Sequence, residues 1–150
     1  MINSLALFFD KKRKGKVMKF IKNHGGREKY FPTNLKKDRT NDCVVRAIAI
    51  ATEKDYLKVR DDLFDIAKEQ GRMPNDKKVW ETYLVDLGWV RRSPMKNRHN
   101  KKYKLGSIKI DRAIFKTSKH LTAIIDGNLN DTWDCREWCA NSYYIRNVTD

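Results

Sequence analysis

The run from Val44 to Ala51 constrains the chain most, because small and apolar residues fall on every side of the helix it would form. A surface helix needs a polar face, so this pattern predicts a helix enclosed by the rest of the fold. Directly before it stand Thr40, Asn41 and Asp42, with Cys43 at the junction. Asn41 or Asp42 is suited to accept from the free amides of the first turn, which sets Cys43 at or beside the helix start. In that position the helix dipole and the unpaired N–H groups favour a thiolate over a thiol. Two readings follow. Cys43 is a displayed nucleophile, or it is one of the many free cysteines that simply pack in a core. The first needs a base close by.

A chain of 150 residues fits one domain with a proper core. After the buried run, Thr52-Glu53-Lys54-Asp55 predicts a helix start. Tyr56, Val59, Leu63, Ile66 and Ala67 then recur at helical spacing, with Gly71 past the end. A third helix opens at Asn75 or Asp76, lines Val79, Trp80, Tyr83, Leu84 and Leu87 along one face, and stops at Gly88. These stripes read as core packing. From Trp89 the texture changes: Trp89-Val90 begins a strand, and residues 91–105 read as a basic loop. Ala113-Ile114-Phe115 is a further strand, and residues 121–125 and 129–133 form a hairpin about Asp126-Gly127-Asn128. Ser142-Tyr143-Tyr144-Ile145 closes the series. Helices first and an antiparallel sheet after them make an α+β arrangement. Residues 18–41 read as polar and irregular, broken at Gly25-Gly26 and Phe31-Pro32. Residues 1–17 read as a basic N-terminal appendage, leaving 18–150 as the domain.

The net charge of +14 is unevenly spread. Residues 1–42 hold 12 basic and 4 acidic side chains, and residues 91–120 hold 11 and 1, while the segments assigned to the core are near neutral. Such segments suit a polyanion, whether nucleic acid, acidic protein or membrane surface, and residues 10–40 and 91–119 are the candidates. The plainer reading is solvated surface. Zinc-finger, recognition-helix and RNA-motif signatures are missing. No apolar stretch approaches the length of a membrane span. With three cysteines and no secretory pattern ahead of them, the expectation is a cytoplasmic chain with reduced thiols and no membrane partner.

Of the three histidines, His24 lies in a glycine-rich loop and His99 in the basic run, whereas His120 opens a hairpin strand and is the best mounted base. A two-residue turn at Asp126-Gly127 or Gly127-Asn128 sets His120 opposite Trp133 or Cys135, with Asp131 on the same face. A three-residue turn sets Asp134 opposite it. Asp131 is the favoured partner and Asp134 the alternative. Cys135 and Cys139 have a spacing compatible with zinc if His24 or His99 joined them, but a second cysteine pair is lacking, so no metal or cofactor is expected. Trp133 and Trp138 read as packing around the site.

A cysteine heading a buried helix, followed by a strand-mounted histidine and a nearby carboxylate, resembles the papain-like cysteine peptidase fold. The segments "TNDCVVRAIAIAT" and "KHLTAIIDGNLNDTWD" also resemble small papain-like proteins encoded by bacteriophages, over about Met18 to Tyr144. The resemblance implies Cys43 as nucleophile, His120 as general base and Asp131 as its orienting group. The papain family proper carries a glutamine shortly before the cysteine as oxyanion donor. Here Asn41 is the nearby amide, and with the Cys43 backbone N–H it would form the hole. The resemblance further implies a protein or peptide substrate and action in the cytoplasm of a phage-infected host. Two rivals remain: a catalytically idle papain-like module that grips nucleic acid or an acidic host protein, and a hydrolase or transferase acting on a non-peptide amide or thioester.

Overall fold

The computed structural model describes residues 16–33 and 40–146. The apolar run becomes helix α1, Cys43–Thr52, in which Val44, Ala47, Ile48, Ala49 and Ala51 are buried and so is Arg46. Helix α2, Tyr56–Gln70, starts where expected: the Asp55 carboxylate accepts from the N–H groups of Leu57 and Lys58 at 3.1 and 3.3 Å. It ends on Gly71, whose φ of 65° is the left-handed conformation that glycine adopts without steric cost. Helix α3, Lys77–Asp86, is capped by Asp76, which accepts from the Lys78 N–H at 2.8 Å. The periodic stripes of α2 and α3, including Val59, Leu63, Val79, Trp80 and Leu84, pack with α1 into one core cluster.

Six strands form a single sheet: β1 (Phe20–Lys22), β2 (Trp89–Arg92), β3 (Ala113–Thr117), β4 (His120–Ile125), β5 (Asn128–Asp131) and β6 (Tyr143–Arg146), in the order β1-β5-β4-β3-β6-β2. The expectation of a purely antiparallel, C-terminal sheet needs correction. Strand β1 comes from the stretch read as irregular and pairs parallel to β5, so the sheet is mixed. Its three residues are too few, and Ile21 and Lys22 too exposed, to leave a periodic signal. The pairing comes from β5 and its flanks: Leu129 N–H donates to Lys19 C=O at 2.9 Å and Asn23 N–H to Asp131 C=O at 2.8 Å.

Both faces of the sheet are covered. Ile114, Leu121, Ala123 and Tyr144 face the helices, while Ala113, Phe115, Ile124, Tyr143 and Ile145 face a second cluster built with loop residues such as Leu105, Ile110 and Cys135. Strands buried on two faces read as unbroken apolar runs, which is how β3, β4 and β6 appear in the sequence. Met18 is buried in the second cluster; residues 1–15 of the expected appendage lie outside the described residues. The hairpin turns on Asp126 and Gly127, both at positive φ, so Ile125 pairs with Asn128 and Ala123 with Asn130. Continued, this register sets Thr122 opposite Asp131 and His120 opposite Trp133. Among the described residues, no helix is long and apolar enough to cross a membrane.

Candidate active site

Asp42 occupies the N-cap position of α1, but its side chain caps nothing, contrary to expectation. The carboxylate instead accepts from Arg27 Nη1 at 3.0 Å, from the Tyr56 hydroxyl at 2.6 Å, and from Thr40 and Arg46. Two guanidinium groups outbid backbone amides, because charge-assisted bonds are the stronger ones. The first-turn amides of α1 therefore have no side-chain cap, and that helix end is open to an anion. Asn41, the alternative cap, is exposed, with φ 52°, a left-handed conformation tolerated by asparagine.

Cys43 meets that description. Half-buried at the head of α1, it borders one cleft with the His120 ring and Leu121. Burial pushes its thiol up, but the His120 hydrogen bond, the Leu121 N–H and the charges of His120 and Arg46 together bring it below the ordinary 9.0. Burial works the other way on His120. Hydrogen bonds with Asp131, Cys135 and Cys43, and the charge of Asp131, override it and push the imidazole up to about 11. The two shifts belong to a coupled pair and favour the same state, thiolate with imidazolium.

The ring is held from its other side. His120 Nε2 lies 2.6 Å from Asp131 Oδ2, which leaves Nδ1 as the second nitrogen for proton traffic. Asp131 is buried and fully engaged: Thr122 Oγ1 donates to Oδ2 at 2.6 Å, the Thr132 N–H donates to Oδ1 at 2.7 Å, and Arg46 Nη2 stands 3.6 Å from Oδ1. Burial alone would raise this carboxyl; the hydrogen bond and charge of His120, with Thr122 and the Thr132 N–H, hold it below the usual carboxylate range. Trp133 packs against the His120 ring at 4.8 Å between centroids, and Trp138 meets Trp133 edge-on at 5.1 Å. Asp134, the alternative partner, is turned outward onto Arg136 at 2.7 Å.

Read outward from the sulfur, charge alternates along one connected row: Cys43, His120, Asp131, Arg46, Asp42, Arg27. Buried ions are tolerated only when paired in this way. Within this row the buried Arg46 Nε has no hydrogen-bond partner among the described residues. The row also explains Arg46 itself, a charge inside an otherwise apolar helix. Its spacing of four from Asp42 and three from Cys43 was the available signal. Thr122, two residues from His120 and so on the same strand face, was likewise findable. The Thr132 N–H had no signal.

Among the described residues one group has the composition and spacing to hold a metal: His120, Asp131 and Cys135, with ligand atoms within 4.8 Å of one another. Cys139, His24 and His99 do not join it. An ion there would displace the proton shared by His120 and Asp131, so metal binding and a working His–Asp pair exclude one another.

Cys43 and His120 open into a cleft of about 370 Å³, bordered also by Asn41, Asn75, Trp80 and Leu121. A second groove of about 380 Å³ adjoins it, sharing Asn41, Val44 and Asn75 and lined further on by Phe31 and Phe64. A larger hollow of about 570 Å³ lies at the opposite end of α1, near Thr52, Glu53 and Arg112, and has no nucleophile. In the basic segment 91–119, Arg98, Lys101, Lys102 and Lys104 are exposed on loops, whereas residues 10–15 and 34–39 fall outside the described residues. No protein-family model matches the sequence, and neither does any curated protein or solved structure.

Proposed function

We propose that the protein is a cysteine-dependent acyl hydrolase of papain-like architecture, acting on an amide or peptide bond. One observation carries the reading: the His120 ring is hydrogen-bonded to buried Asp131 and lines one cleft with Cys43, which heads α1. In this mechanism the Cys43 thiolate attacks the substrate carbonyl carbon and forms a C–S bond. The Cys43 N–H and the Asn41 side chain are the candidate donors to the resulting oxyanion. As the tetrahedral species collapses, the C–N bond breaks and the leaving amine takes the proton from the His120 imidazolium. Water then attacks the thioester, its proton passes to His120, and the acid and the thiolate are released. Asp131 stays ionised and keeps the imidazole in orientation.

The test is covalent capture. A peptidyl vinyl sulfone is expected to add once per chain, at Cys43, and Cys43→Ala is expected to abolish that adduct while leaving a folded protein. Equal labelling of wild type and Cys43→Ala would remove Cys43 as the nucleophile.

A further inference from the structure

The wall of the cleft beyond Cys43 is cationic on one side. Lys77, Lys116 and Lys119 border it together with His120, and no Asp or Glu does. Lys77 and Lys119 are exposed, Lys116 is half-buried with Nζ donating to the Thr117 carbonyl at 2.7 Å, and among the described residues none of the three is ion-paired. The lysines come from separate elements: Lys77 opens α3, Lys116 sits in β3 and Lys119 in the turn before His120. Like charges gathered without a counter-ion repel one another and attract any anion that fits between them. Burial holds the Lys116 ammonium below its ordinary value, the Cys43 thiolate opposes this, and Lys77 adds to it. These three lysines share a cleft with Cys43, which distinguishes them from the lysines on the exposed loops.

We infer that Lys77, Lys116 and Lys119 form a carboxylate-binding subsite, so that the preferred acyl substrate is a peptide with an acidic side chain next to the bond that Cys43 attacks. This rests on Cys43 being the nucleophile. The lysines recognise the substrate's charge, while the Cys43–His120–Asp131 group performs the chemistry. An acidic residue would supply the missing counter-ion and gain from the half-buried position of Lys116. Neutral residues gain nothing there, and a basic residue is repelled.

Two reagents with the same chemistry and different charge separate the claims. Alkylation of Cys43 by iodoacetate and by iodoacetamide is compared in wild type, in the triple variant Lys77→Gln/Lys116→Gln/Lys119→Gln, in the milder Lys77→Gln/Lys119→Gln, and in Lys68→Gln on the exposed face of α2. The ratio of iodoacetate to iodoacetamide rates is expected to fall about tenfold in the triple variant, severalfold in the double variant, and to stay unchanged in Lys68→Gln, the sum of a few weak ion pairs. Peptidyl vinyl sulfones carrying Glu are expected to outpace their Gln counterparts by a similar factor in wild type only. If Cys43 alkylates readily but the ratio is the same in every variant, or Glu and Gln probes react equally, the subsite is overturned and the nucleophile stands. If Cys43 alkylates no faster than exposed Cys139 near pH 6.5, the reading beneath it fails as well.

Discussion

Cys43 and Cys135 both act on the His120 ring, Cys43 across the cleft they share and Cys135 with its sulfur within 4.8 Å, yet their surroundings differ in nearly every other respect. Cys43 begins a ten-residue helix, is half-buried, and borders a cleft. Cys135 lies in the loop between β5 and β6, is 0% exposed, and packs in the same cluster as Leu105, Leu129 and Ala140. Nearness to a base is common to both. What Cys43 has in addition is an uncapped helix end that favours its negative charge, and an opening through which a carbonyl can arrive. The lesson is that a nearby histidine does not by itself set one thiol apart from another; the field around it and access do.

The contrast is broken most decisively by exchanging each sulfur for a hydroxyl. Cys43→Ser is expected to lower hydrolysis of an activated ester or peptide substrate by roughly a thousandfold or more, as loss of a nucleophile does. Cys135→Ser is expected to stay within about tenfold of wild type, since it alters only one contact of the ring. Parallel rate assays on the two variants decide it, and comparable losses would mean that the two cysteines act as a unit.

A smaller effect, but a sharper one, lies in pH dependence. Because Cys43 is depressed below 9.0 and His120 is raised to about 11, alkylation of Cys43 by iodoacetamide should set in at lower pH than that of an ordinary thiol. Exposed Cys139, at the head of no helix, is the internal reference at pH 6.5. Peptide mapping should therefore find Cys43 modified at least about tenfold faster than Cys139 at that pH, with Cys135 modified only after unfolding. In Asp131→Asn the imidazolium loses its main support, so the thiolate loses its partner and the Cys43 profile moves up toward 9.0. Superimposable profiles for Cys43 and Cys139 would erase the distinction.

Much of this arrangement was legible in the chain because the elements that build it are local. Residues 44–51 had to be enclosed. Asp55, Gly71, Asp76 and Gly88 marked helix ends by ordinary cap chemistry, and the Asp126-Gly127 turn, one of the registers that the sequence leaves open, sets Asp131 on the face of His120. The unreadable parts depend on distant residues. Asp42 looks like Asp55 and Asp76 in sequence, and only the arrival of Arg27 and Tyr56 from elsewhere turns its carboxylate away from the helix amides. Strand β1 exists because β5 offers it a free edge. The spacing of Cys135 and Cys139 is compatible with one zinc site, but the loop after β5 carries Cys135 inward while Cys139 stays exposed. Lys77, Lys116 and Lys119 are far apart along the chain, and three separate turns of the fold bring them to one cleft.

The smallest effect sharpens the comparison from the side of Cys135. Replacing it with alanine should cost about 1 kcal/mol from lost packing alone, a contribution independent of pH. A second part is tied to the ring. His120 titrates near 6.5 when unfolded and is raised to about 11 in the fold, so its protonated form stabilises the native state fully below pH 6.5, and that stability is lost as pH rises toward 11. Cys135 is one of the groups that raise it, so the variant forfeits its share at and below neutral pH and forfeits nothing once the ring is neutral in both proteins. Titration of the His120 ring followed by NMR should accordingly place its midpoint lower in Cys135→Ala than in wild type. Coincident midpoints would leave Cys135 as packing only, and the two sulfurs would then have no partner in common.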